Sequence, residues 1–164
     1  MRNVSRYLLW AVLGLPLLAV AGANVVLKDL DGRDRSMGEF IGKGKWTVVA
    51  VWASDCPVCQ QEIHHMNFFH DAHRKKDAQV LGVSVDGYAR RQLAQGFVKD
   101  HGLDFTNLIA EPQDIARLGS GVFVGTPTYY VYSPEGKLLA EQVGPVTQEQ
   151  VEAFIDRAKA AGGQ

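Results

Sequence analysis

The chain has 164 residues, of which 46% are hydrophobic and 9% aromatic, a composition typical of an ordinary folded chain with one compact domain. Its 17 Lys and Arg residues are balanced by 18 Asp and Glu residues, so we expect no nucleic-acid partner. Two cysteines are also too few for a small scaffold stapled by disulfides.

The first 23 residues have the layout of a targeting segment. Arg2 and Arg6 precede an uncharged apolar run at residues 7–23, which ends in small residues. This layout is typical of a secretory signal peptide, although the run is also just long enough to cross a bilayer as a retained helix. We therefore predict that residues 1–23 are a cleaved signal peptide or an N-terminal membrane anchor, and that the rest of the chain is exported to the periplasm.

Residues 24–160 are predicted to form one domain in which strands and helices alternate. Apolar, β-branched runs predict strands buried on both faces, and segments that start at Pro or end before Gly predict the helices between them. The strands cover residues 45–53, 78–86 and 105–110, and the helices cover residues 56–74, 88–102 and 112–119. This order predicts parallel pairing of the strands.

The two ends of the domain follow other patterns. Near the start, a short strand leads to the turn Asp31–Gly32, and Ser36 is predicted to cap a short helical turn. Near the end, residues 127–144 predict a hairpin, and Thr147 opens the capping box of a last amphipathic helix. Residues 161–164 are predicted to be a flexible tail. The whole pattern predicts one mixed sheet covered by helices.

The only two cysteines, Cys56 and Cys59, lie where the first buried strand passes into a helix. At this position Cys56 faces the unsatisfied N–H groups and the positive end of the helix, which favours the nucleophilic thiolate. Cys59 lies one helical turn further on, close enough to attack a mixed disulfide formed at Cys56. The spacing therefore predicts a redox-active pair that needs no bound cofactor.

The cysteine pair has two alternative roles. A purely structural disulfide is disfavoured, because closing so short a loop removes little entropy from the unfolded chain. A closed zinc site needs four ligands, and the chain has no second Cys-x-x-Cys. Metal binding by the histidines of the same helix stays open, but solvated or packing roles are more typical of them and we predict no metal. These histidines are His64, His65, His70 and His73.

The stretch VVAVWASDCPVCQQEI, residues 48–63, together with GTPTYYVYSPEGKLLAEQVG, residues 125–144, resembles the thioredoxin fold. More narrowly, it resembles the exported TlpA/ResA-like thiol-disulfide oxidoreductases, a group that includes the cytochrome c maturation thioredoxins. The resemblance covers about residues 25–160. It implies an α/β fold with a central mixed sheet flanked by helices, an N-terminal β extension and a strand-helix insertion.

The resemblance also implies roles for individual residues. Cys56 matches the exposed attacking cysteine and Cys59 the buried resolving cysteine. Pro127 falls where the family has its cis-proline, whose loop faces the cysteines and offers backbone groups to an extended partner peptide. Trp52, Pro57 and Thr126 are, with Pro127, the predicted client-binding residues. Without the resemblance, Pro127 indicates only a proline at the start of a strand.

Glu62 is the third predicted catalytic residue. It lies three positions after Cys59 on the same helical face, where it can exchange a proton with the resolving sulfur through a water, and the family resembles this chain in carrying an acid there. Because Ala50 stands where cytosolic thioredoxins carry a buried aspartate, Glu62 is a candidate substitute. The alternative is an ordinary solvated helix glutamate. His64 stands where relatives usually have a helix-kinking proline.

The residues around the pair bear on the direction of electron flow. No His lies between the cysteines to hold the thiolate, and Asp55 beside Cys56 disfavours it, unless Asp55 instead caps the helix. Both features favour a reductant, whereas Thr126 is also found in exported isomerases. Ala53 stands where related peroxiredoxins need Thr or Ser, which disfavours a peroxidase.

The sequence therefore predicts a monomeric periplasmic thiol-disulfide oxidoreductase that reduces client proteins, for example those destined for haem attachment. A membrane thiol donor is its expected reductant. The first alternative is a disulfide oxidase or isomerase that uses the same two sulfurs. The second, from another class, is a membrane-anchored, non-enzymatic binding module or metal chaperone.

Overall fold

Residues 22–162 are described by a computed structural model, in which a seven-stranded mixed sheet is flanked by helices. The strands are β1 (Val26–Asp29), β2 (Asp34–Ser36), β3 (Trp46–Trp52), β4 (Ala78–Ser84), β5 (Thr106–Ile109), β6 (Thr128–Tyr132) and β7 (Leu138–Val143). The helices are α1 (Pro57–Glu62), α2 (His64–His73), α3 (Arg91–Asp100), α4 (Pro112–Ile115) and α5 (Gln148–Gly162). Short 3-10 turns cover Met37–Glu39 and Tyr88–Arg90.

The predicted targeting segment lies, except for its last two residues, outside the described residues. Among residues 22–162, none of the helices combines the length and the apolar character that a bilayer crossing requires.

The strand order in the sheet is β2-β1-β5-β4-β3-β6-β7. β3 runs parallel to β4 and β4 parallel to β5, whereas β6 and β7 form an antiparallel hairpin beside β3. The parallel core, the C-terminal hairpin and the mixed sheet predicted from the sequence are therefore confirmed. The register of β3 with β4, from Trp46 opposite Ala78 to Trp52 opposite Ser84, places the carboxyl ends of these strands side by side.

Both faces of the central strands are covered, which explains their mostly apolar sequence. Alternate β3 side chains, such as Ala50 and Trp52, join a core under α1, α2, α3 and α5, and the others, such as Val49, join a second core under α4 and the 3-10 turn at Met37–Glu39. Cys59 belongs to the first core. The redox pair therefore lies on the face with the longer helices.

The helix predicted over residues 56–74 is divided in two at Ile63. No proline is involved. The carbonyl of Gln61 accepts a hydrogen bond from Nδ1 of the His64 ring at 2.8 Å, and Met66 N donates to Ile63 O in a tightened, three-residue turn. A side chain that bonds to the helix backbone breaks the regular ladder, which is one of the recognised causes of a kink.

Three other boundaries differ from the prediction. A 3-10 turn at Tyr88–Arg90 precedes α3, and α4 ends at Ile115 rather than reaching residue 119. α5 continues to Gly162, two residues into the predicted tail, and residues 163–164 lie outside the description. The Ser36 cap and the capping box opened by Thr147 are present as predicted, and Ser36 also forms a full capping box with Glu39.

Candidate redox site

Cys56 and Cys59 are joined by a disulfide at the start of α1, with their Cα atoms 5.2 Å apart. Cys56 is the N-cap residue, and its Sγ accepts a hydrogen bond of 3.1 Å from the backbone N–H of Cys59. Cys59 is only 1% exposed, whereas Cys56 is half-buried. When the pair is reduced, the same N–H groups and the positive helix end favour a thiolate at Cys56.

The local sequence explains why the helix begins here. β3 ends at Trp52, and the N–H of Cys56 closes a turn on the carbonyl of Ala53. Pro57 is the first helical residue, where its missing N–H costs nothing. Cys56 therefore takes the capping position, and Asp55, exposed and one residue too early, does not cap α1.

The loop before Cys56 is anchored by a buried carboxylate that the sequence analysis missed. Asp86, after the end of β4, accepts hydrogen bonds from the N–H of Ser54 at 3.2 Å, from the Ser54 hydroxyl at 2.9 Å and from the Ser84 hydroxyl at 2.7 Å. Parallel pairing of β3 and β4 is the signal that was available, because it places an acid after one strand beside a serine after the other.

The loop that ends at Pro127 faces the attacking cysteine. The Thr126–Pro127 peptide bond is cis, and the carbonyl oxygen of Thr126 lies 3.6 Å from Cys56 Sγ. Pro127 is buried, and its carbonyl accepts from the N–H of Gly144 at the end of β7. Four exposed valines lie on the segments that border this point, namely Val58, Val122, Val124 and Val143. The surface around Cys56 is therefore open and partly apolar.

Trp52 and Pro57 occupy different environments. Pro57 is exposed beside Cys56. Trp52 is fully buried, stacks on Phe97 with ring centroids 4.3 Å apart, and donates from Nε1 to Oδ1 of Asn107 at 3.2 Å. Trp52 therefore supports the loop from inside and does not lie on the surface offered to a client, in contrast to the expectation from sequence.

Glu62 is the last residue of α1, and its side chain is 32% exposed. Its Oε2 lies 3.5 Å from Nε2 of His65. Burial, and secondarily the charge of Glu62, raises the pKa of Tyr129 to about 12. Tyr129 pairs with Ala50 across the sheet and shares a core with Cys59.

Two histidines of α2, His70 and His73, make structural contacts. His70 is buried, its Nδ1 accepts from the N–H of Val80 at 3.1 Å, and burial lowers its pKa. His73 lies between Asp77 and Glu152, with both ring nitrogens 3.1 Å from carboxylate oxygens. Within residues 22–162, no three His, Cys, Asp or Glu side chains are grouped as a metal site.

Comparisons with known proteins agree with this geometry. The AhpC/TSA family model matches residues 20–141. Sporulation thiol-disulfide oxidoreductase A of Bacillus subtilis is 24% identical over 82% of this chain and 79% of its own length, and thiol-disulfide oxidoreductase ResA of Bacillus thuringiensis is 27% identical over 82% and 74%. The solved thioredoxin domain of a Bacteroides vulgatus thiol-disulfide oxidoreductase superposes with a TM-score of 0.66, at 23% identity over 84% and 98% of the two chains. The superposition confirms the predicted thioredoxin fold.

Proposed function

We propose that this chain, a thiol-disulfide oxidoreductase that belongs to the AhpC/TSA family, reduces disulfides of client proteins in the periplasm. One observation supports this proposal above the others. The half-buried Cys56 sulfur, at the N terminus of α1, lies 3.6 Å from the Thr126 carbonyl on an open surface, while Cys59 is buried behind it. One sulfur is thus accessible to a protein substrate and the other is protected from it.

The first step is attack on the client. The thiolate of reduced Cys56, stabilised by the N–H of Cys59, attacks one sulfur of a client disulfide. A bond forms between Cys56 and that sulfur, the client S–S bond breaks, and the second client sulfur leaves as a thiolate that takes a proton from water. Thr126 and Pro127 border the place where the extended client segment lies.

The second step releases the client. Glu62 accepts the proton of the Cys59 thiol through a water, and the resulting thiolate attacks Cys56. The bond between Cys56 and the client breaks, and the client sulfur leaves with the electron pair. The client has gained two electrons and the protein is left with the Cys56–Cys59 disulfide, which a membrane thiol donor then reduces.

The cellular location and the class of client are proposed from the sequence rather than from the geometry of the site. The basic and apolar segment at residues 1–23 supports export, with the protein either released or held at the inner membrane. The resemblance to cytochrome c maturation thioredoxins supports clients whose cysteines accept haem. We propose that the protein acts as a monomer.

The direction of electron flow is tested by the equilibrium potential of the Cys56/Cys59 pair against glutathione, measured with insulin-disulfide reduction. We expect a value near roughly −270 mV, as for thioredoxin, since the structure places Asp55 and no imidazole between β3 and Cys59. A value near roughly −120 mV, typical of strong periplasmic oxidants, would replace reduction by oxidation or isomerisation.

Two variants complete this test. Cys59→Ser should accumulate the mixed disulfide with insulin, because the first step is intact and the second is blocked. Cys56→Ser should form no mixed disulfide and reduce no insulin. Unchanged cellular function in Cys56→Ser would favour a non-enzymatic binding module instead.

A further inference from the structure

A cleft of about 540 Å³ opens beside the redox pair, between the start of α1 and the length of α3. Asp55 and Gln60 line the wall next to the cysteines, and Leu93 and Asp100 line the opposite wall. Its floor is Phe97, whose ring lies between Trp52 and His101, each with a centroid distance of 4.3 Å. The cleft extends from the residues next to Cys56 towards α3. The Thr126 loop, which borders the Cys56 sulfur, is a separate segment that is not among the lining residues.

Among the described residues that line the cleft, the carboxylates are Asp55 and Asp100, and the one imidazole is that of His101. Asp55 and Asp100 are exposed, and within residues 22–162 neither forms an ion pair. No Lys or Arg is among the described residues that line the cleft. Gln60 donates its amide N–H to the carbonyl of Ser54, which leaves its oxygen to face a donor. A cation entering the cleft would therefore meet acceptors on both walls.

The apolar part of the cleft suits a long side chain. Leu93 is 52% exposed near the start of α3, and it lines the cleft together with Asp100 at the end of that helix. Arg and Lys both place an aliphatic stem against such a surface while the charged group stays near water. Arg fits two separated carboxylates better, because its planar guanidinium offers five donors.

We propose that this cleft binds a basic side chain, preferably arginine, of the client segment that carries the reacting cysteine; the proposal rests on the proposed function. Asp55 immediately precedes Cys56, so a client segment over Cys56 reaches the cleft within about two or three residues at about 3.3 Å per residue. The bound cation also offsets the Asp55 carboxylate, which otherwise disfavours the Cys56 thiolate. The same bound side chain thereby selects the client and favours the thiolate of Cys56.

The test uses the full chain, reduced, and short peptides whose central cysteine carries a chromophoric leaving thiol. The peptides differ only in one residue, Arg or Glu, moved through the three positions on each side of the cysteine. The second-order rate constant for release of the chromophore is measured. We expect the Arg peptide to react about fivefold faster than the Glu peptide at the best position in low salt, with a smaller ratio in high salt.

Two variants separate the cleft from the overall charge. Asp100→Asn should reduce the Arg preference by at least half on a logarithmic scale. Asp104→Asn removes the same charge from an exposed residue outside the cleft and should retain the preference.

Equal rates for the Arg and Glu peptides, or an equal loss of preference in both variants, would overturn the cleft proposal and leave the reductase function intact. Absence of reaction with every peptide, together with no insulin reduction, would overturn the proposed function and the role of the cleft in it.

Discussion

The two ends of the α1–α2 helix pair are held in different ways. At the Cys56 end, the loop is fixed from below by buried hydrogen bonds to Asp86, and the surface above stays open. At the His73 end, half-exposed contacts at the surface, His73 with Glu152 and Asp77 with Lys159, connect α2 and the loop after it to α5. The difference shows how a reactive end can be rigid and still accessible: its restraints are internal, so none of them has to be displaced by a client.

The strength of the two kinds of restraint should differ as well. Buried polar groups that lose their partners are left without water, which costs more than losing a contact at the surface. Exposed ion pairs are screened by solvent and salt and contribute little each. The following changes test that contrast from its strongest side to its weakest.

Asp86→Ala should have the largest effect. The change leaves the buried donor of Ser84 and the half-buried donors of Ser54 without their acceptor, so we expect the free energy of unfolding to fall by about 2–3 kcal/mol. The rate of insulin reduction should fall as well, because the loop before Cys56 loses its anchor. Denaturant unfolding and the insulin assay measure the two effects. Asp55→Asn, one residue from Cys56 but exposed, is the control and should leave stability within about 0.5 kcal/mol of the original value.

Glu62→Gln should have an intermediate effect, confined to the second step of the reaction. Release of a client from the mixed disulfide should slow about tenfold near pH 7, because Cys59 must then lose its proton to water. The difference should shrink as the pH rises, because hydroxide can then take the proton that Glu62 otherwise accepts. Single-turnover kinetics measure this step. Slowing by the same factor at every pH, or in the neighbouring Gln61→Ala as well, would indicate a structural role only.

Asp77→Asn should have the smallest effect, at the far end of the pair. Hydrogen bonds from Lys159 first and His73 second lower the pKa of Asp77 to about 2. Because the folded protein binds this proton less readily than the unfolded chain, the contribution is present above about pH 4 and is lost as the pH falls towards 2. Since both Asp77 and Lys159 are about 40% exposed, we expect less than about 1 kcal/mol at neutral pH.

The measurement for Asp77 is urea unfolding across pH 2 to 7 at two salt concentrations. The variant should show a shallower decrease in stability below pH 4 than the original chain, and the difference between them should shrink in high salt. A salt-independent loss of several kcal/mol would show that both ends are held by the same kind of contact.

The sequence predicts best the elements in which nearly every residue is buried. β3 and β4 are covered on both faces, so most of their positions are apolar, and the hairpin of β6 and β7 has its turn residues in place. The break at Ile63 was not predictable from periodicity, because it depends on one ring of His64 bonding to one carbonyl. Helix ends decided by single side chains are generally beyond pattern analysis.

The candidate site divides in the same way. The positions of Cys56 and Cys59 on a strand-to-helix junction follow from local sequence. The role of Asp86 does not follow from local sequence, because its partner Ser54 is 32 residues away and contacts it only through the pairing of the two strands. The resemblance places Trp52 among the client-binding residues, although it belongs to the apolar run that predicts β3 to be buried on both faces, and its side chain lies in the core.

The 70 residues that separate Cys56 from the Thr126 carbonyl set an order of events during biosynthesis. Both thiols emerge from the ribosome long before β6 can take its place beside β3, and until then the chain carries two adjacent thiols without the loop that opposes them. On the proposed role of the Thr126 loop, selective exchange with other proteins belongs to the nearly completed chain, and a nascent or truncated chain ending before residue 126 would carry both thiols without the loop that faces them.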